Sequence, residues 1–213
     1  MLDPWPLWRL ELRTPRLTLR PDEDAGLLEL MAEARRGVHP PEEMPFGVEW
    51  TDRPPADMVR EGLQHHWAAR AASRPEHWQV KFLVRYQGRV VGSQDLHAKD
   101  FAVTREVTSG SWLGLRHQGQ GMGTEMRAAI LMLAFDHLGA TAARSSAFTD
   151  NTRSLGVSRR LGYAADGTYV TSRRGAAAIN VRQVVTAERF AEYRPDWKLE
   201  VEGLAAARQT FGV

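Results

Sequence analysis

Residues 116–125, Arg-His-Gln-Gly-Gln-Gly-Met-Gly-Thr-Glu, form the stretch of this chain best suited to chemistry. Glycines at 119, 121 and 123 strip side chains from a turn that opens a long apolar segment, which leaves main-chain N–H groups free to face an anion. The first turn of a helix carries four unpaired donors and a partial positive charge. Together these features suit a phosphate or pyrophosphate. A P-loop would need a Lys after its last glycine, and none lies here. A dinucleotide fingerprint would need Gly-x-Gly-x-x-Gly in the first strand–helix–strand unit, whereas this run is Gly-x-Gly-x-Gly and lies halfway along the chain. A glycine-rich turn that only caps a core helix is the plainer alternative.

Other reactive residue types bound the options. Cysteine is absent, which removes disulfides, thiolate metal sites and a thiol nucleophile. His65 and His66 are adjacent, hence on different faces of a helix, and no His-x-x-x-His with a partner carboxylate occurs, so no metal is expected. A net charge of +2 does not call for a nucleic-acid partner, and the basic residues are dispersed among acids. Nearly all the cations are Arg, with Lys only at 81, 99 and 198. Arginine's planar fork suits carboxylates and phosphates, although a compositional bias explains the preference equally well.

Two further blocks join the glycine run. Asp150-Asn151-Thr152-Arg153-Ser154 leads into Leu155-Gly156-Val157-Ser158-Arg159-Arg160-Leu161-Gly162-Tyr163, and Gly110-Ser111-Trp112-Leu113 precedes the loop. With Gln118, Gly121 and Gly123 as Gln-x-x-Gly-x-Gly, the three blocks resemble the GNAT superfamily of acyl-CoA-dependent N-acyltransferases. The similarity is to its RimJ/RimL-like branch, with Arg160 for Lys and Tyr163 for Phe. It spans roughly residues 14–187 and is strongest over 108–167.

The resemblance implies a donor and a site. The co-substrate would be acetyl-CoA, or another acyl-CoA such as succinyl-CoA, and the acceptor an amine of a protein N-terminus, a lysine or a small molecule. Pyrophosphate would lie on the main-chain N–H groups of residues 118–124, that is Gln118, Gly119, Gln120, Gly121, Met122, Gly123 and Thr124, with the Thr124 hydroxyl adding to them. Pantetheine would enter a splay between the strand ending at Trp112-Leu113 and the next parallel strand, facing backbone groups of Leu113 and Leu115. Asn151 would contact the pantetheine arm and Ser154 would protonate the leaving thiolate. Taken alone, Asn151 is an ordinary helix cap and Ser154 an ordinary helix residue.

The general base is less well marked. Where the RimL-like pattern has a strand glutamate, this chain has Arg173. Glu106, Asp95 and His97 lie on neighbouring expected strands, with Glu106 taken as the candidate, and proton loss to solvent is a further route. Arg173-Arg174 suits a carboxylate on the acceptor or the acyl group, or is simply a charged hairpin turn. Trp50 and Phe46 are placed to wall the acceptor pocket. The competing reading is a catalytically silent module that binds acyl-CoA.

The elements that must position these residues follow from periodicity. At 213 residues one domain is the default, of α/β (α+β) class, with a central mixed, splayed sheet flanked by helices. The domain is expected over 1–190, with 191–213 as a tail holding a short helix near 202–210. Strands are expected at 16–20, 78–86, 89–97, 101–113, 142–148, 164–173 and 178–187. Helices are expected from the acidic start at 21–24, at 56–72, at 121–138 and at 151–161, with 36–50 a loop. No apolar run approaches a membrane span and no signal pattern opens the chain, so a cytoplasmic protein is expected. Self-association into a homo-oligomer is an open expectation.

Overall fold

The computed structural model describes residues 4–213. Its strands are β1 (Glu11–Arg13), β2 (Leu17–Pro21), β3 (His77–Tyr86), β4 (Arg89–Lys99), β5 (Glu106–Thr108), β6 (Ser111–Leu113), β7 (Ala142–Phe148), β8 (Ala164–Arg173), β9 (Ala176–Thr186) and β10 (Glu200–Glu202). The α-helices are α1 (Asp24–Ala34), α2 (Pro55–Ala72), α3 (Phe101–Thr104), α4 (Met122–Met132), α5 (Thr152–Arg160), α6 (Ala187–Tyr193) and α7 (Leu204–Ala207). The strands form one mixed sheet in the order β10-β1-β2-β3-β4-β5-β7-β9-β8, with β6 paired to β4 beside this path.

Alternation along β3 divides the two faces. Trp78, Val80, Phe82 and Val84 join the main core with Met126, Ile130 and Leu133 of the α4 segment. Leu83, on the opposite face, packs with Leu27, Leu30 and Met31 of α1. The helix opened by the glycine run is almost wholly buried, as its apolar circumference requires, and its last turn widens to π-type geometry over Leu133–Leu138.

Residues 101–113, expected as one strand, are broken twice. Asp100 and Arg105 both take positive φ and bracket the single turn of α3. A second break separates β5 from β6, because the Asp95 carboxylate takes the N–H of Gly110. That break matters for function. Glu106–Thr108 pair in parallel with Ala142–Arg144, and Ser109 N–H donates to the Arg144 carbonyl at 3.1 Å. Beyond this rung β6 pairs only with β4, and Ser145–Phe148 pair only with β9. The sheet splays there.

The segment 191–213, expected as a tail with one short helix, is ordered against the sheet. β10 pairs with β1, a strand that periodicity did not reveal. Gly203 makes the crossing close, with φ of +73° and room for no side chain, since a Cβ would lie 2.0 Å from the Arg9 carbonyl oxygen. Phe211 is fully buried edge-on to Trp78, whose indole N–H donates to the Phe211 carbonyl at 3.0 Å. The sheet's two borders differ: β10 is three residues long with Glu200 and Glu202 exposed, whereas β8 runs ten residues and is exposed along nearly all of them. No helix among the described residues is long and apolar enough to cross a membrane.

Candidate active site

A cleft of about 1050 Å³ opens where β6 and β7 part, between the start of α4 and the start of α5. Gly121 caps α4 with φ of +81°, a conformation side chains resist, and Gly119 has φ of +73°. The loop's main-chain donors divide into two groups. Gln118 N–H is used by the Leu115 carbonyl and Thr124 N–H by the Gly121 carbonyl, at 3.2 and 3.1 Å. Those of Gly119, Gln120, Gly121, Met122 and Gly123 have no partner among the described residues. Five unpaired N–H groups at the positive end of a buried helix are what a diphosphate needs.

Side chains around the loop are mostly structural. Gln118 donates to the carbonyls of Val38 and Leu113 at 2.7 and 2.9 Å, tying the loop to the end of β6 and to the α1–α2 connection. Gln120 donates to the Arg116 carbonyl, and the Met122 side chain is sunk in the core. Glu125, buried one turn into α4, accepts from Arg16 and Thr14 and so fixes α4 to the start of β2. The carboxylate of Glu33, 1% exposed, accepts from Arg116 at 2.9 Å and from Arg36 at 3.1 Å, which holds the residues ahead of the loop.

The β6 backbone presents donors to the splay. The Gly110 carbonyl and Gly114 N–H are used by β4, so by alternation the amides of Ser111 and Leu113 face the other way, toward β7. Leu115 has none to offer, because Gly37 takes its N–H at 2.9 Å and its carbonyl receives Gln118 N–H.

On the far wall, Asn151 caps α5, its side-chain oxygen accepting from Ser154 N–H at 3.1 Å. Ser154 lines the cleft, and its hydroxyl has no partner among the described residues. Sequence reasoning passed over Arg159 and Arg160, which line the mouth with no ion-pair partner among the described residues and suit the anionic end of a cofactor. Their signal was present as two adjacent cations in the last turn of a helix that starts at the site.

Of the residues singled out in sequence, the structure brings Leu113, Gln118, Gly119, Gly121, Gly123, Thr124, Asn151 and Ser154 to this cleft. Glu106 stands apart. Arg144 grips it with hydrogen bonds of 2.7 and 3.0 Å, and this contact holds its carboxyl below the usual carboxylate range. Asp95 is spent on Gly110 N–H, and burial pushes His97 down. Arg173 and Arg174 are both consumed: the first pairs with Asp150 at 2.9 and 2.7 Å and stacks on Phe148, the second pairs with Asp52. Arg173 staples the β8–β9 hairpin to the β7–α5 turn and, through the Met44 carbonyl, to the loop before α2, where Arg174 also holds it. Phe46 reaches the cleft, and Trp50 bridges it to Trp112 with centroid separations of 5.2 and 5.5 Å.

The floor of the cleft holds a group that sequence reasoning missed. Arg127 of α4 is 4% exposed, and its guanidinium donates to Ser145 Oγ at 3.2 Å and Ser111 Oγ at 3.1 Å, across the splay. Its Nε has no partner, and no carboxylate among the described residues pairs with it. An uncompensated buried charge costs on the order of several kcal/mol.

Comparison with known proteins agrees with this geometry. The family model described as an acetyltransferase (GNAT) domain matches residues 9–164. Among solved structures, a GCN5-related N-acetyltransferase from Brucella melitensis is similar at 19% identity and a TM-score of 0.67, over 85% of this chain and 80% of that one. A candidate acetyltransferase from T. thermophilus gives 18% identity and 0.68, over 91% and 95%. A candidate ribosomal-protein-serine acetyltransferase from Vibrio cholerae gives 18% and 0.61, over 83% and 97%. At such identities the structures speak to the fold alone. The family match spans most of the chain: the chain belongs to the GNAT acetyltransferase family, and it is an acyl-CoA-dependent N-acyltransferase.

Proposed function

We propose that the protein transfers a short acyl group from acyl-CoA to an amine by direct attack within a ternary complex. The observation that carries this reading is the run of unpaired N–H groups at Gly119–Gly123 beside a cleft between parted strands. Diphosphate would rest on those groups, with Arg159 and Arg160 beside its outer end. Pantetheine would lie along β6, where the outward-facing amides of Ser111 and Leu113 supply the hydrogen bonds a missing strand would have supplied.

The chemistry follows from where charge develops. The neutral amine adds to the thioester carbonyl carbon and its nitrogen gains a positive charge, while the carbonyl oxygen becomes an oxyanion. A β6 amide aimed at that oxygen stabilises it, and one such donor is typically worth about 3 kcal/mol. As the C–S bond breaks, the thiolate takes the proton of Ser154 Oγ, and the proton shed by the former ammonium nitrogen returns through water to Ser154. Glu106 is not needed, since Arg144 already occupies it. Acetyl and carboxylated groups such as succinyl both fit the chemistry. The resemblance to the RimJ/RimL-like branch favours an amine at a protein N-terminus, with lysine and small amines as other acceptors. The aromatic wall of Phe46, Trp50 and Trp112 is the surface against which the acceptor would pack.

Two measurements test this. Coenzyme A titrated into the protein and into Gly121→Val should bind the first and fail, by tenfold or more (about 1.4 kcal/mol), on the second. Ser154→Ala should keep CoA affinity and lower turnover of thiol release against a panel of peptides and amines. CoA binding without turnover on any acceptor would instead support the silent acyl-CoA-binding module.

A further inference from the structure

At the floor of the cleft a buried guanidinium waits for an anion that no described residue supplies. Arg127 lies five residues into α4 from Met122, about 7.5 Å further along the helix than the donors that suit the diphosphate. It therefore serves a different part of the ligand. The guanidinium spans the gap between the parted strands, donating to Ser111 on one and Ser145 on the other. Two hydroxyls use two of its five N–H groups, and Nε is unpaired. Beside it the Ser109 hydroxyl is also buried with no partner, a second unsatisfied group on the same floor. An acetyl methyl placed here would meet a positive charge and hydroxyls instead of apolar surface.

We propose that Arg127 receives the terminal carboxylate of a short dicarboxylic acyl group, so that the donor is a malonyl- or succinyl-type CoA ester. This rests on the acyltransferase reading above and names its donor. Ser111 lies on β6 beside the amides that face the thioester, so the carbons beyond the carbonyl point toward the guanidinium it holds. The carboxylate would satisfy Nε, and a fork-shaped pair of charge-assisted hydrogen bonds would replace the contacts that water supplies elsewhere. The arginine takes no part in bond making. The amine gains an acyl group that still ends in a carboxylate, CoA leaves as the thiol, and the acceptor's positive charge is exchanged for a negative one. Arg173 and Arg174, which the sequence offered for a carboxylate, already hold Asp150 and Asp52.

The test needs no knowledge of the acceptor. Quenching of tryptophan fluorescence, with Trp112 in the cleft wall, would give affinities for CoA, acetyl-, propionyl-, malonyl- and succinyl-CoA. The native protein should bind malonyl- or succinyl-CoA about tenfold or more tighter than propionyl-CoA, the range that hydrogen bonds between charged groups supply. Arg127→Gln should erase that preference while leaving CoA affinity unchanged, and Arg127→Lys should restore part of it. Equal affinity for diacid and monoacid esters overturns the proposal, as does a preference that survives in Arg127→Gln. A uniform loss for every ligand, CoA included, also overturns it by placing the arginine on the pantetheine arm. If CoA itself does not bind the native protein, the acyltransferase reading fails at an earlier step. Should Arg127→Gln not fold, the ligand series on the native protein alone decides.

Discussion

Glu33 and Arg127 are both charged residues with almost no exposure, and they sit on opposite sides of the sheet in opposite circumstances. Glu33 is met by guanidinium groups from Arg36 and Arg116, with His117 3.4 Å away. Arg127 meets two hydroxyls and, among the described residues, no acid. The first arrangement is complete and therefore architectural, because it fixes the residues that lead into the glycine loop. The second is incomplete and faces a cleft. A buried charge whose partner lies within the chain holds shape, and one without such a partner is available to bind something else.

Removing the completed partner should cost most. Glu33→Gln gives up the charge-assisted hydrogen bonds that anchor Arg116 and is expected to lower unfolding free energy by about 2–3 kcal/mol, read from denaturant titration. Arg127→Gln measured the same way should cost nothing, or stabilise, because an uncompensated charge leaves the interior. Equal losses from the two would erase the distinction.

The converse experiment gives Arg127 what it lacks. Ser145→Asp should stabilise by about 1–2 kcal/mol through a new ion pair and abolish any preference for carboxylated donors, since the guanidinium is then spent. Weaker still are the hairpin contacts. Arg173→Ala, whose pair is partly exposed, should cost about 1 kcal/mol or less, Arg174→Ala should cost less still, and both should leave donor choice alone. Their partners Asp150 and Asp52 are held below the usual 3.8 chiefly by hydrogen bonds from these arginines. With the folded value depressed, the staple's contribution is present above 3.8 and is lost only as pH falls through the lower folded value. Hydrogen exchange of the hairpin should accordingly be flat from neutral to mildly acidic pH. Smallest of all is Glu106→Gln, for which turnover on any working amine should be unchanged within error. A large fall would return Glu106 to the catalytic machinery.

Much of this architecture was legible from periodicity. The strand at Ala142–Phe148 and the helix ending at Ala72 lie where the apolar pattern placed them, since each is bounded by turn chemistry and buried on a definite face. The reading failed at 101–113 because the break depends on a carboxylate from another strand taking Gly110 N–H, which no local pattern records. The glycine loop was legible because its donors are backbone atoms, which need only room and a helix behind them. Arg127 was not recognised, although it is the one charged residue in an otherwise apolar run from Met126 to Phe135. Such a residue demands either an exit to solvent or a purpose, and only the packing decides between them. Glu106 was legible as a strand residue, but alternation assigns a face and says nothing about distance from the parting of the sheet.

The unequal borders of the sheet carry a consequence for assembly. The acidic three-residue margin at β10 offers a newcomer little to grip, and it is already tied back by the Glu202–Arg13 ion pair. The opposite margin at β8 is long, with Tyr169 and Val170 turned outward. Any strand-to-strand joining of copies would find more room at the β8 margin. A pairing that used that margin alone would close as a twofold pair and could not propagate into a fibre.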